Sequence, residues 1–415
     1  MVHNRVARRV SEDIEANPSW SLIYGRRKVG KTFLIDNFVA HDVYFSVRVD
    51  RSISARGLVI DRFGDLDDFT RVVTDLLNEG KTVVIDEFQR LPMVVLEDIS
   101  RTHPNGRLIL TGSSMRVVER FTGRNSPLLG LVRPFKLGLI PPSDILVSLV
   151  EHMTPEEAVS SAPILRDPWT IPFNTSDRLL EDTVSMLPVV VPGLVGEIFT
   201  EDERVLTSTY SSILSMIGSG TTDHHRIADT LYRRGIIGSG SSSHVIPYMR
   251  NMVDMGLLER TKVYKKKKHT YSIPSIPIRL YYYLESRYGI SDRAVDYREV
   301  SPAAEGLLRT GIEEFVGDLL AQMVGGRKEI LKEARREVDV LIMFRKRPAL
   351  VGEVKWGKVS RADIDDFLAK VEGMRCRKVF VCRRRVETDE VEVLTPEDLV
   401  EMATGEGGDP RHRGG

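Results

Sequence analysis

The run Gly25-Arg26-Arg27-Lys28-Val29-Gly30-Lys31-Thr32 holds the most specific chemistry in this sequence. Its two glycines let the backbone curl until successive N–H groups face one point, a geometry suited to phosphate oxygens. Lys31 supplies a flexible cation for the β- and γ-phosphates, Thr32 a hydroxyl for Mg2+, and Phe33 continues into the helix that follows. A second constellation, Val83-Val84-Ile85-Asp86-Glu87, is an apolar strand ending in two carboxylates. Asp86 is suited to the Mg2+ shell and Glu87 to polarising an attacking water as general base. Together these residues point to binding of ATP or ADP with Mg2+, and to hydrolysis. A third group lies far downstream. Asp339 opens one apolar run, and Glu353-Val354-Lys355 closes the next. Strand alternation puts Glu353 and Lys355 on one face. Asp339 and Glu353 could hold Mg2+, Lys355 could activate water, and Glu313 on a preceding helix could complete the set. That chemistry is metal-assisted phosphodiester cleavage.

The elements that must position these groups follow from periodicity. Trp20–Tyr24, Val43–Val47, Thr82–Ile85 and Leu108–Thr111 are short, continuously apolar runs with helical patterns between them. Buried on both faces, such strands form a parallel sheet covered by helices. Thr111 and Ser113 end the last of them, either as γ-phosphate sensors or as hydroxyls satisfied by the backbone. Residues 146–200 carry Pro155, Pro163, Pro168 and Pro172 among helical patterns and read as a helical lid or connector. Three amphipathic helices then precede two strands joined by Lys265-Lys266-Lys267-Lys268, the order of a winged helix-turn-helix. Ser241–His244, Tyr248, Arg250 and Asn251 place polar groups on its third helix. The lysine run is either a phosphate-contacting wing or a solvated turn. His224-His225 lacks partner ligands at metal spacing and reads as surface. Segment 285–300 is polar and linker-like.

The expected organisation is an α/β multidomain chain. A P-loop NTPase parallel sheet occupies 1–145, a helical lid 146–200 and a winged helix 201–285. A restriction-endonuclease-like α/β unit spans 286–400, and 401–415 is a disordered tail. Composition agrees: of 415 residues 41% are hydrophobic and 28% charged, which excludes a wholly disordered chain. Lys+Arg and Asp+Glu number 59 each, so any polyanion partner must meet a local rather than a global basic surface. Arg375–Arg385 provides one such edge. Cys376 and Cys382 cannot build a disulfide framework and suit a reducing, cytoplasmic compartment. No run approaches the roughly 18–20 apolar residues of a membrane helix, so no membrane partner is expected.

Tyr24–Thr32, Ile85-Asp-Glu-Phe-Gln89 and Thr111-Gly-Ser-Ser114 resemble the archaeal ATPase family, signal-transducing NTPases related to AAA+ proteins. The resemblance implies that Asn4 and Arg5 lie near adenine. It also implies a winged helix followed by a C-terminal unit resembling the PD-(D/E)xK nucleases, with DNA as partner; a homo-oligomer is compatible with such a chain. Two departures stand out. The family's arginine after Ser-Pro-Leu and a Tyr-Gly is replaced here by Leu131 behind Ser126-Pro-Leu-Leu-Gly130, with Arg124 and Arg133 nearest. The lid's Gly-Gly before proline is Val189-Val190-Val191-Pro192. The alternative function is a nucleotide-dependent switch or scaffold whose nuclease-like unit is inactive.

Overall fold

A computed structural model describes residues 6, 8–59, 62–113, 123–173, 177–200, 207–333 and 336–405, without the side chains of 197–200 and 207. Asn4, Arg5, Ser114 and the segment 406–415 lie outside the described residues.

The N-terminal apolar runs form the expected sheet. Its strands are β1 (Trp20–Tyr24), β2 (Val43–Val47), β3 (Ile53–Arg56), β4 (Arg62–Phe63), β5 (Thr82–Asp86), β6 (Arg107–Gly112) and β7 (Val132–Lys136). They stand in the order β4-β3-β2-β5-β6-β1-β7. The last five in that order are parallel, and β3 and β4 extend one edge in antiparallel fashion. Helices α1 (Arg9–Glu15) and α2 (Lys31–Phe38) cover one face through Ile14, Leu34 and Ile35. Helices α3 (Leu66–Asn78) and α4 (Met93–Ser100) cover the other through Phe69, Val73, Leu96 and Ile99. Strand β6 therefore lies between the strand that feeds the phosphate loop and the strand that ends in Asp86.

The residues after β7 share cores with distant parts of the chain. Helices α5 (Pro142–Leu149) and α6 (Pro155–Leu165) bury Ile145, Leu146, Ala158 and Ala162 against Phe315, Leu319 and Leu399. A Thr154–Glu157 capping box fixes the start of α6. Helix α7 (Leu179–Thr200) holds the window Leu179–Gly196, which is long and apolar enough to cross a membrane by length and composition, at mean hydropathy 1.4. The sequence reading had excluded such a run. In the fold, Val184, Leu187, Val191 and Leu194 of this helix enter a protein core. Next come α8 (Thr207–Gly218), α9 (His224–Arg233), α10 (Ile246–Asp254) and the hairpin β8 (Glu259–Val263) and β9 (His269–Ser272).

Helices α11 (Ile276–Tyr288) and α12 (Tyr297–Val324) occupy both ends of the supposed linker at 285–300. Ser275 and Asp296 cap their N-termini, accepting from the amides of Ile278 and Arg298. Ile290 and Val300 are buried there, so the polar composition describes only the outer face. The expected boundaries at 145 and 285 fall inside α5 and α11 for the same reason: apolar contacts, not linker composition, set where the packing units end.

The last α/β unit contains β10 (Arg327–Ile330), β11 (Lys332–Glu333), β12 (Arg336–Glu337), β13 (Val340–Phe344), β14 (Arg347–Lys355), α13 (Arg361–Lys370), β15 (Arg377–Cys382), β16 (Glu392–Leu394) and α14 (Pro396–Thr404). Its main sheet runs β16-β15-β14-β13-β10-β8-β9. The hairpin β8–β9 thus belongs to the same sheet as the C-terminal strands. The join is parallel, Glu329 opposite Lys262 and Ile330 opposite Val263.

Behind that join sits a charged network. Asp318 of α12 accepts from Arg166 at 2.7 Å and pairs with Lys328, while Arg166 Nε donates to the carbonyl of Ile140. Burial opposes the charge on Asp318, but Lys328 and Arg166 outweigh it and hold the carboxyl below its ordinary range. Asp318→Ala leaves two cations facing each other without their carboxylate. It should cost about 2–3 kcal/mol, the buried-pair value reduced for partial exposure. Urea unfolding followed by circular dichroism measures this, and an unchanged midpoint would contradict the role of Asp318.

Candidate functional site

The phosphate loop leaves β1 at Tyr24 and turns into α2. Gly25 is required by close approach, since a Cβ there would lie 2.1 Å from the carbonyl oxygen of Leu137. Gly30 is required by backbone conformation, φ +85°, in the left-handed region. Among the described residues, the amides of Val29, Gly30 and Thr32 donate no backbone hydrogen bond. The Lys31 ammonium lies inside the loop, 2.9 Å from the carbonyl of Gly25 and 3.2 Å from that of Arg26. A cation and unpaired amides therefore face one cradle, which fits phosphate.

The remaining loop residues divide by direction. Arg27, Lys28, Thr32 and Phe33 line a cavity of about 730 Å³ together with Ile140, Trp169 and other apolar groups, a volume suited to a nucleotide. Val29 is fully buried beneath the loop. Arg26 turns away from the cavity. Its guanidinium pairs with Asp167 at 2.6 Å, and the Ser275 hydroxyl donates to the same carboxylate oxygen at 2.6 Å. Arg8, absent from the sequence reading, donates to the carbonyls of Val29 and Gly138. Burial draws its pKa down to about 10.

Opposite the loop, Asp86 is held on both oxygens. Tyr44 donates to one at 2.8 Å, and Thr111 donates to the other in a short contact. Burial first, and then Asp86, raise the Tyr44 phenol, whose oxygen also meets the Thr32 hydroxyl. Thr32, Asp86 and Tyr44 bring hard oxygens together beside the cradle, a donor set that fits Mg2+. Glu87 adopts φ 56° and accepts from Gln89 at 2.6 Å and Ser113 at 3.2 Å. Arg90 approaches Glu87 at 3.6 Å and lines the cavity. Neither Arg124 nor Arg133 lines it. Thr111 and Ser113 therefore each donate to one of the two acids, Asp86 and Glu87. Sequence reasoning missed Arg8, Tyr44, Arg90 and Trp169. Only Arg90, three residues past the acids, carried a local signal.

The C-terminal group also converges. Asp339 precedes β13 and accepts the Val354 amide at 2.8 Å. Glu353 is 4% exposed, pairs with Lys370 of α13 at 2.9 Å, lies 3.8 Å from Lys355, and has one buried oxygen without a partner. Partial burial and then repulsion from Glu353 push Asp339 up to about 6. Burial, followed by repulsion from Asp339 and Glu314, pushes Glu313 up to about 7. Glu314 itself turns to Arg279 in a bidentate pair at 2.8 and 2.7 Å. Among the described residues no three acidic, histidine or cysteine groups gather closely enough to hold a metal. The expected Mg2+ pair, Asp339 and Glu353, does not fit as a cage: the Lys370 ammonium already neutralises Glu353.

The fold and the loop define an α/β domain whose parallel sheet is consistent with the P-loop type. Residues 17–132 match the family model of the AAA domain. Among solved structures, the chain is similar to the Aeropyrum pernix ORC2 protein in its ADPNP–ADP complexes, with 13% identity, 74% of this chain and 94% of that one covered, and TM-score 0.41. The ADP form of ORC2 gives 13% identity, 74% and 95% coverage, and TM-score 0.33. The Aeropyrum pernix ORC1 protein in complex with DNA gives 12%, 68% and 92%, and 0.29. No curated protein matches the sequence.

The carboxylate crowding has a pH signature. Both Asp339 and Glu313 are raised above their ordinary values, so their contribution to stability is full in acid and is lost as pH rises through about 6 and about 7. Glu313→Gln removes one of the repelling charges. The variant's melting temperature relative to the parent should be higher at pH 8 than at pH 5, and an equal difference at both pH values would refute the crowding.

Proposed function

We propose that this chain is a Mg2+-dependent ATPase associated with DNA, whose nucleotide site is coupled to a winged helix and a nuclease-like unit. One observation carries the reading: an inward-facing lysine, Thr32 and Glu87 line a single nucleotide-sized cavity, and the loop around the lysine carries unpaired amides. Lys31 would leave the carbonyls of Gly25 and Arg26 for phosphate oxygens. Thr32 and Asp86 would hold Mg2+, which neutralises charge on the β- and γ-phosphates when bound. Glu87 is placed to accept a proton from water, and Gln89 and Ser113 fix its carboxylate. Arg90 supplies the cation nearest to this acid, in a chain that lacks the arginine after Gly130.

Two variants separate binding from turnover. Lys31→Ala should weaken ATP binding about ten-fold or more, because the cation held inside the loop is lost while its amides remain. Titration of the folded variant with a fluorescent ATP analogue measures this, and unchanged affinity would sink the assignment. Glu87→Gln should keep nucleotide affinity within about two-fold while phosphate release falls by at least about a hundred-fold, the scale of a lost general base. Hydrolysis at the parent rate would remove Glu87 from the chemistry.

For the C-terminal unit, the Lys370–Glu353 pair favours a second reading over cleavage. In it, the nuclease-like sheet engages a phosphodiester backbone without cutting, and the chain acts on DNA as a nucleotide-dependent switch. The nuclease-like fold and the winged helix are supported by the order of helices and strands and by the convergence of Glu313, Asp339, Glu353 and Lys355.

A further inference from the structure

The seven-stranded C-terminal sheet has one end at which β8, β10, β14 and β15 all finish and β13 begins. The lysine turn 265–268 therefore projects from the same end as Asp339, Lys355 and the residues after Cys382. Side-chain direction agrees. Tyr264, at the root of the turn, packs against the core cluster that contains Val338 and Leu341, on either side of Asp339, and Ile364 and Phe367 of α13. Its amide donates to the carbonyl of Ile330 at 2.9 Å. The turn and the carboxylate cluster are parts of one packed body.

Several cations at this end are already paired: Lys268 with Asp223, Lys332 with Glu337, Arg383 with Glu156 and Arg385 with Asp398. Lys265, Lys266, Lys267, Lys358 and Arg384 are exposed, and no described carboxylate pairs with them. They form two groups, one on the turn and one beyond β14 and β15. Three strand intervals separate β8 from β14, roughly 14 Å, and four separate it from β15, roughly 19 Å. About half a turn of B-form duplex covers that span, so a straight duplex reaches both groups without bending. A single strand is less well served. The aromatic groups nearby are engaged, Tyr264 packed against one core cluster with Lys265 over its ring and Trp356 packed against another, which leaves little stacking surface.

We propose that this end of the sheet is a continuous track for the backbone of one DNA duplex, gripped by the lysine turn and by the Lys358–Arg384 group together. The proposal rests on the DNA-binding reading above and gives it a location and a span.

The full chain is titrated with a 30-base-pair duplex across a range of salt concentrations, using fluorescence anisotropy. Lys266→Ala with Lys267→Ala should lower the slope of log K against log salt by about two, as should Lys358→Ala with Arg384→Ala, and the four together by about four. Arg345→Ala with Lys346→Ala removes the same charge from the opposite end of the sheet and should leave the slope unchanged. Saturation should occur at one duplex per chain. A slope sensitive to the turn alone, equal sensitivity to the Arg345–Lys346 variant, or two duplexes per chain overturns the track while leaving DNA binding in place. Absence of duplex binding by the parent chain overturns the DNA reading, and the track with it.

Discussion

The carboxylate of Asp167 is almost wholly withdrawn from water, with a side chain 1% exposed, and faces a guanidinium that is 3% exposed. Desolvating two charges is costly unless both keep close partners. Arg26 belongs to the phosphate loop, Asp167 follows α6, and Ser275, which donates to the same oxygen, caps α11. Loop, lid and the helical core thus meet at one buried ion pair. Four residues beyond Ser275, Arg279 holds Glu314 of α12, next in sequence to Glu313. Any displacement of Arg26 must find a new partner for Asp167 or move α11, because the alternative is an unpaired charge in a closed site.

The two acidic sites solve the same electrostatic problem differently. Beside the phosphate loop, Asp86 and Glu87 are flanked by hydroxyls, an amide group and a guanidinium. At the C-terminal site the acids are crowded by burial and by each other, and two ammonium groups balance Glu353. The first arrangement leaves Glu87 facing an open cavity. The second already pairs one of its carboxylates with a protein cation.

Much of the N-terminal domain was legible because its code is local. Residues 24–32 specify a turn that only glycine fits at two points, and apolar runs such as Val83–Ile85 report burial on both faces. What the sequence hid was non-local. Tyr44 reaches Asp86 only because β2 lies beside β5, and Arg8 reaches Val29 only once the chain closes over the loop. The segment 285–300 misled because its outward face is polar while Ile290 and Val300 point into a core. Lys370 shows the same limit: one lysine on an amphipathic helix carries no sign that it will neutralise a glutamate 17 residues earlier.

The parallel join between β8 and β10 makes the molecule's mechanical order differ from its covalent order. Residues 259–272 follow the helical bundle in sequence, yet they are bonded edge to edge with strands that begin at residue 327. A hinge that moves the lysine turn relative to the C-terminal strands would have to strip the hydrogen bonds of this ladder and bare two strand edges. The hairpin is instead carried by the sheet as a fixed arm. Whatever reorients the C-terminal strands turns the lysines through the same angle.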